Sequence, residues 1–202
     1  MQELHDRLYP DKLKANNIIN FRFHLYRYVF ALPHCKFGGK TLDAGCGAGY
    51  GSRMLCWVSS KVVAVDHSTK AIEYAKQYYP SPLIEWRVDN VMNIKEQDFD
   101  NIIAFEMLEH NKNSEGVLSF LMSRLKSPGK GIFSVPVMSR AQGHLRVFTE
   151  QKAIELFANL AKREGKGQDA YQVSIHFQYE GDVVGKRAGD SNLVIAVITK
   201  RK

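Results

Sequence analysis

Residues 106 to 110 read Glu-Met-Leu-Glu-His, a spacing that can do chemistry. If a helical turn starts at Glu106, positions i, i+3 and i+4 share a face, and Glu106, Glu109 and His110 point together into the adjoining cleft. Two carboxylates and an imidazole can bind a cation, or hold and move a proton. A second feature lies upstream, where Thr41-Leu42-Asp43-Ala44 runs into glycines at 45, 47, 49 and 51. Only glycine lets the main chain turn this sharply and approach a ligand so closely. Glycine turns of this kind also hold dinucleotides, but that fingerprint is GxGxxG. Here Ser52 or Tyr50 stands where the third glycine belongs, which weakens a dehydrogenase assignment.

Carboxylates recur at the ends of apolar runs. Asp43 lies at the end of the run before the glycines, Val62–Val65 ends in Asp66, and Ile84–Val88 ends in Asp89, followed by Asn90. Acids at three successive strand ends line one crevice, where an open α/β sheet binds its ligand. Asp66 is placed to accept from both ribose hydroxyls, and Asp89 from an adenine amino group. Taken singly, each acid could instead cap a helix.

The elements that must position these groups follow from periodicity. Thr41–Ala44, Val62–Val65, Ile84–Val88, Ile102–Phe105 and Ile132–Val135 are short apolar runs separated by helix-period stretches, which predicts a βαβ series and a parallel sheet covered on both faces. Ser68 is a candidate cap for a helix through Tyr78, with Ile72 and Ala75 inward. Ser114 is one for a helix through Lys126, ended by Ser127-Pro128-Gly129, with Val117, Leu118, Leu121 and Leu125 on one face. Thr149 is one for a third helix that turns Ile154, Phe157 and Leu160 to the sheet. Tyr171–Tyr179 and Leu193–Thr199 have no helix pattern between them and predict an antiparallel pair at one edge, for seven strands in all. The segment Asn16 to Leu32 interleaves aromatics with Arg22, His24 and Arg27 at helical spacing. It suits a helix over the ligand cleft better than a single-stranded nucleic-acid platform.

An apolar content of 45% is enough for a core, so residues 1–202 are expected to form one domain. Met1 to Leu13 lacks the apolar run of a signal peptide and no stretch is long enough to span a membrane, so a cytoplasmic protein is expected. Three cysteines without a paired spacing give neither a disulfide framework nor a thiolate metal site. A formal charge of +7 fits an anionic partner or simply a solvated basic surface.

The residues DAGCGAGYG, with Asp66, Asp89, Phe99-Asp100 and LKSPGKG at Leu125–Gly131, resemble the class I S-adenosylmethionine-dependent methyltransferases over nearly the whole chain. That resemblance implies a Rossmann-like three-layer α/β sandwich, with residues 1–38 as an N-terminal helical segment over the cofactor cleft. It also implies S-adenosylmethionine held by Asp43, Gly45, Cys46, Gly47, Gly49, Asp66, His67, Asp89, Asn90, Phe105 and Glu106. The run from His24 to Ser52, FEMLEH, and SVP followed by HLRVFT look like methyltransferases of glycan and cell-surface polysaccharide synthesis. Val137 departs from that pattern where Asn usually follows SxP, and His67 where an apolar residue usually packs the adenine.

The ExxEH pattern is similar to that of ubiquinone-biosynthesis O-methyltransferases and of small-RNA 3′-terminal 2′-O-methyltransferases. There it looks like a divalent-metal site (Mg²⁺, Mn²⁺ or Zn²⁺) completed by a later histidine. The matching set here is Glu106, Glu109, His110 and His144. Without a metal, His110 or His144 is the expected base, with Glu109 beside it. Neither Asn/Asp-Pro-Pro-Tyr nor Pro-Cys follows the fourth strand, which leaves an oxygen nucleophile on a small molecule or saccharide as the expected acceptor. Two alternatives are an RNA 2′-hydroxyl acceptor, and a non-catalytic S-adenosylmethionine-binding partner subunit.

Overall fold

The computed structural model describes residues 8–12, 15–141, 143–163, 171–179, 182–184 and 192–201. Helix α1 (Ala15–Ala31) leads into β1 (Gly39–Ala44), α2 (Tyr50–Leu55), β2 (Ser59–Asp66), α3 (Thr69–Tyr78), β3 (Ile84–Val88), β4 (Phe99–Phe105), α4 (Ser114–Ser123), β5 (Leu125–Pro136), α5 (Glu150–Arg163), β6 (Tyr171–Tyr179), β7 (Asp182–Val184) and β8 (Leu193–Lys200). The strands form one sheet in the order β3-β2-β1-β4-β5-β8-β6-β7. β3 through β5 are mutually parallel, and β8 runs antiparallel to both β5 and β6. The expected seven strands and antiparallel pair are therefore present. β7, three residues that pair back on β6, adds an eighth strand at the edge. The link between β6 and β8 falls partly outside the described residues.

Side-chain alternation along the strands makes this a three-layer structure. Leu42, Ala44, Val63, Val65, Ala104 and Phe133 point to the face covered by α4 and α5. Val62, Ala64, Ile103, Phe105, Ile132 and Ile195 point to the face where Tyr28 and Ala31 of α1, Leu55 of α2 and Ile72 of α3 lie. Phe99, Phe133 and Phe157 are fully buried, each worth roughly 2–3 kcal/mol of apolar transfer.

Two helix starts agree with the sequence signals. The Ser68 hydroxyl accepts from Ala71 N–H at the start of α3, and Thr149 Oγ1 accepts from Lys152 N–H at the start of α5. The start of α4 differs, because Asn113, not Ser114, is the cap and accepts from Gly116 N–H at 2.9 Å. Ser114 instead donates to the Leu108 carbonyl at 2.8 Å. α4 ends at Ser123, three residues earlier than expected, and Leu125 together with Ser127-Pro128-Gly129 belongs to β5. The apolar spacing of Leu121 and Leu125 fits a continued helix and a buried strand start equally well, and tertiary pairing with Phe99 decides for the strand.

Candidate active site

The carboxyl ends of β1, β2, β3 and β4 open onto a cleft of about 1050 Å³. Gly45, Cys46, Gly47, Asp66, His67, Asp89, Asn90, Phe105, Glu106, Glu109, His110 and His144 all line it. Of the expected site residues, Asp43 and Gly49 are not among the lining groups.

The glycine loop shows why each position needs its residue. Gly45, Gly47 and Gly49 have φ of +78°, +53° and +89°, the left-handed region that glycine enters without penalty. A Cβ on Gly47 would meet no protein atom within 4 Å, so that backbone faces ligand space. A Cβ on Gly49 would run into Ala75 and Trp86, so close packing against α3 and β3 requires a glycine here. Asp66 secures the loop from below. One of its oxygens accepts from Gly47 N–H at 3.0 Å and the other from Ser68 N–H at 2.9 Å. Asp89 accepts from Asn90 N–H and from Asn93 Nδ2, both at 2.7 Å, and Asn90 caps the short 3-10 turn Val91–Asn93. His67 is largely exposed, with Nδ1 3.7 Å from Asp66. The Cys46 thiol is held neutral, because burial and then the charge of Asp43 raise its pKa.

Asp43 turns away from the cleft. Its carboxylate accepts from Ser52 Oγ at 2.6 Å and from Tyr28 Oη at 3.2 Å, which ties α2 and α1 to β1. Burial drives its pKa up to about 7 despite these two donors. The acid thus buttresses the glycine loop.

At the end of β4 the expected helical turn does not begin at Glu106. This residue has φ +48°, and the 3-10 turn starts only at Leu108. The three acid and imidazole groups therefore do not share one face. Glu106 swings to α1, where Arg27 Nη1 donates to it at 2.6 Å and His24 Nε2 lies 3.1 Å away. Burial would raise its pKa, but the charges of Arg27 and His24 bring it down to about 2. His24 is pushed down to about 4 by burial and by the Arg27 charge.

Glu109, His110 and His144 do come together, with one potential ligand atom from each lying within 4.8 Å of the others. Glu106 is not part of that group. The turn and the later loop are fastened to each other, since the Glu109 carbonyl accepts from both Leu145 N–H and Arg146 N–H. His110 Nδ1 donates to the Gly143 carbonyl at 3.0 Å, which makes Nε2 the acceptor nitrogen of the neutral ring. The two imidazoles meet edge to face, with centroids 4.9 Å apart. Both carboxylate oxygens of Glu109 are buried without a hydrogen-bond partner, an arrangement proteins rarely tolerate. Burial, and then the Glu106 charge, push Glu109 up to about 8. A divalent cation, or an acceptor's hydroxyl proton, would satisfy these oxygens.

Sequence spacing passed over Arg27, Tyr28, Tyr50 and Asn192, which also line the cleft. Arg27 was visible as a basic residue among aromatics. Its partners Glu106 and Gln178 lie 79 and 151 residues away, beyond the range of any local signal.

Residues 42–133 match a family model described as "Methyltransferase domain". The chain is 33% identical over 112 residues to the mitochondrial ubiquinone biosynthesis O-methyltransferase of Schizosaccharomyces pombe, covering 52% of this chain and 41% of that protein. It is 31% identical over 116 residues to the ubiquinone biosynthesis O-methyltransferase of Actinobacillus pleuropneumoniae serotype 5b, covering 53% and 50%. The matched stretch thus spans half, or less, of these relatives. The N-methyltransferase NodS from Bradyrhizobium japonicum, solved in complex with S-adenosyl-L-homocysteine, superposes with a TM-score of 0.67 at 18% identity, covering 89% of this chain and 88% of that one. That likeness is one of fold. Residues 42–133, which run from β1 through the glycine loop into β5, are thus similar to the methyltransferase-domain family, and the sheet order agrees with that likeness.

Proposed function

We propose that this chain is an O-methyltransferase that binds S-adenosylmethionine in the cleft and methylates a hydroxyl of a small molecule or saccharide. The observation that carries the proposal is the group Glu109, His110 and His144, which faces the same cleft as Gly47 and Asp66. We take residues 1–202 as one such domain, with α1 (Ala15–Ala31) as its cleft-side helix; the expected segment 1–38 lies partly outside the described residues. Three free cysteines suit a cytosolic location.

S-adenosylmethionine supplies an activated methyl group on sulfur, so the protein's work is to align the acceptor and take its proton. The Gly45–Gly47 backbone leaves room for the cofactor against the sheet, and Asp66 and Asp89 offer carboxylates to its ribose and adenine. Tyr28, Phe105 and Tyr50 supply ring surface nearby. His110 holds its tautomer through Gly143, so Nε2 can accept the acceptor's hydroxyl proton. His144, with Nδ1 3.4 Å from the Ser139 carbonyl, is oriented to do the same.

A second version of this mechanism is favoured by the unpartnered Glu109 oxygens. Glu109, His110 and His144 would hold a divalent metal ion, which would lower the pKa of an acceptor hydroxyl. The ubiquinone O-methyltransferase relatives are named for oxygen acceptors, in keeping with this chemistry.

Methyl transfer from labelled S-adenosylmethionine to a panel of phenols, catechols, saccharides and short RNAs, with Mn²⁺ or with EDTA, tests the proposal. A hydroxyl acceptor whose turnover collapses in His110→Ala and His144→Ala supports it. Label on nitrogen, or turnover indifferent to both histidines, refutes it. Label on RNA selects the RNA-directed alternative.

A further inference from the structure

The end of the sheet opposite the cleft carries a surface of a different kind. Phe37 and Trp57 are 82% and 64% exposed, more than any other large apolar side chain among the described residues. They stand on adjacent loops, one entering β1 and the other entering β2, and Gly38 N–H donates to the Val58 carbonyl at 2.8 Å to join those loops. Neither ring is buried in the core, and exposed apolar rings on two joined loops mark an interaction surface.

The charges around them are mostly positive. Lys36 and Lys126 both reach Asp100, and Lys40 reaches Asp98, which sets three cations against two anions. Arg53, in the last turn of α2, and Arg201, just past β8, are exposed. Strand register brings them to the same end, since Gly39 of β1 pairs with Ser59 and Lys200 of β8 with Gly129. The acids Asp66, Asp89, Glu106 and Glu109 sit at the opposite, carboxyl end of the sheet. These five cations against two anions leave a local positive excess beside the aromatic rings and away from the acids of the cleft.

We infer that this end is a docking surface for an anionic lipid bilayer, with Phe37 and Trp57 entering the headgroup region and the surrounding cations facing lipid phosphates. Aromatic rings favour that depth, and basic residues add affinity for anionic leaflets. Single-stranded nucleic acid is the other polyanion that uses rings, but it is held in a groove where successive bases stack. Here the rings project from loop tips, which suits a planar surface.

Sedimentation of the full chain with phosphatidylcholine vesicles, with and without about a third phosphatidylglycerol, tests the inference. Emission of Trp57 would be recorded alongside, and a Trp57→Phe variant would isolate the signal of Trp86, which packs beside Gly49. Binding to the anionic vesicles only, a blue shift carried by Trp57, and partitioning at least about tenfold weaker in Phe37→Ala/Trp57→Ala are expected. Both replaced side chains are exposed, and an unchanged thermal melt would show that the variant folds. Three outcomes would overturn the inference: no anionic-vesicle binding, binding unchanged in the double variant, or capture of a single-stranded oligoribonucleotide through these two rings without vesicle binding.

Discussion

Arg27 Nη1 and Glu106 Oε2 lie 2.6 Å apart and join the middle of α1 to the end of β4. Arg27 is 5% exposed, and its Nε also donates to Gln178 Oε1 on β6 at 2.7 Å. One guanidinium therefore pins the helix that borders the cleft to two strands at once. Gln178 closes the link by donating to the Phe23 carbonyl.

Replacing Arg27 with Ala should leave Glu106, about a quarter exposed, with His24 as its remaining partner, and cost about 1.5–3 kcal/mol for the lost charge-assisted hydrogen bond. Chemical denaturation would measure the loss, and hydrogen exchange should show α1 opening ahead of the sheet. Arg27→Lys should recover only part of it, because an ammonium cannot reproduce the guanidinium fork. An unchanged denaturation midpoint in Arg27→Ala would show that the pair does not hold the helix.

Two neighbouring glycines should respond in opposite ways. A methyl group at Gly51 would overlap the Tyr28 ring, so Gly51→Ala should displace α1 and lower the melting temperature clearly. At Gly47 a methyl group meets nothing in the protein, so Gly47→Ala should cost only about 1–2 kcal/mol of left-handed backbone strain. It should nevertheless weaken S-adenosyl-L-homocysteine binding sharply, because the methyl stands in ligand space. Thermal melts with and without that ligand separate the two effects.

Asp66 positions both Gly47 and Ser68 and faces the cleft. Asp66→Ala should weaken S-adenosyl-L-homocysteine binding by about 30- to 100-fold, as expected for losing charge-assisted hydrogen bonds. Isothermal titration calorimetry reads this directly, and affinity within a factor of two of the parent would remove Asp66 from the cofactor site.

Glu109 gives the metal-free protein a pH signature. Its pKa in the fold, about 8, lies above the ordinary 4.5, so the native state keeps a proton that the unfolded chain has lost. The stability it contributes is complete below about pH 4.5 and drains away as pH rises through 8, on the order of a few kcal/mol. Asp43, raised to about 7, adds to the same slope at lower pH. Glu109→Gln should flatten the upper part of this fall and leave the Asp43 part. Mn²⁺ should raise the melting temperature of the parent at pH 8 and leave Glu109→Gln unmoved. Identical pH profiles for the two proteins would show that Glu109 does not titrate this way.

Strand and helix periodicity, the glycine spacing and the acids at strand ends were enough to expect the sheet and the position of the cleft. Those signals are local and physically forced, as with the continuous burial of Thr41–Ala44 and Val62–Val65 on both faces of the sheet. The departures lie where long-range partners override local geometry. Glu106 adopts φ +48° and turns to Arg27, which breaks the expected shared face. Asp43 resembles the other strand-end acids in sequence, yet Tyr28 and Ser52 draw it beneath the loop. At α4, Asn113 and Ser114 are both capping residues, and the Leu108 carbonyl decides between them by engaging the serine hydroxyl.

The placement of β8 bears on how the molecule assembles. Residues 193–200 slot between β5 and β6, so β5 lacks its second neighbour, and β6 with β7 lacks its tie to the rest of the sheet, until this later segment arrives. During synthesis the long edge of β5, with Ile132, Phe133 and Val135, would lie open to pairing with other chains. Closing the sheet then waits on a contact between segments some sixty residues apart, a slow step by its topology. A chain halted before β8 would therefore be the form most open to strand pairing with another copy.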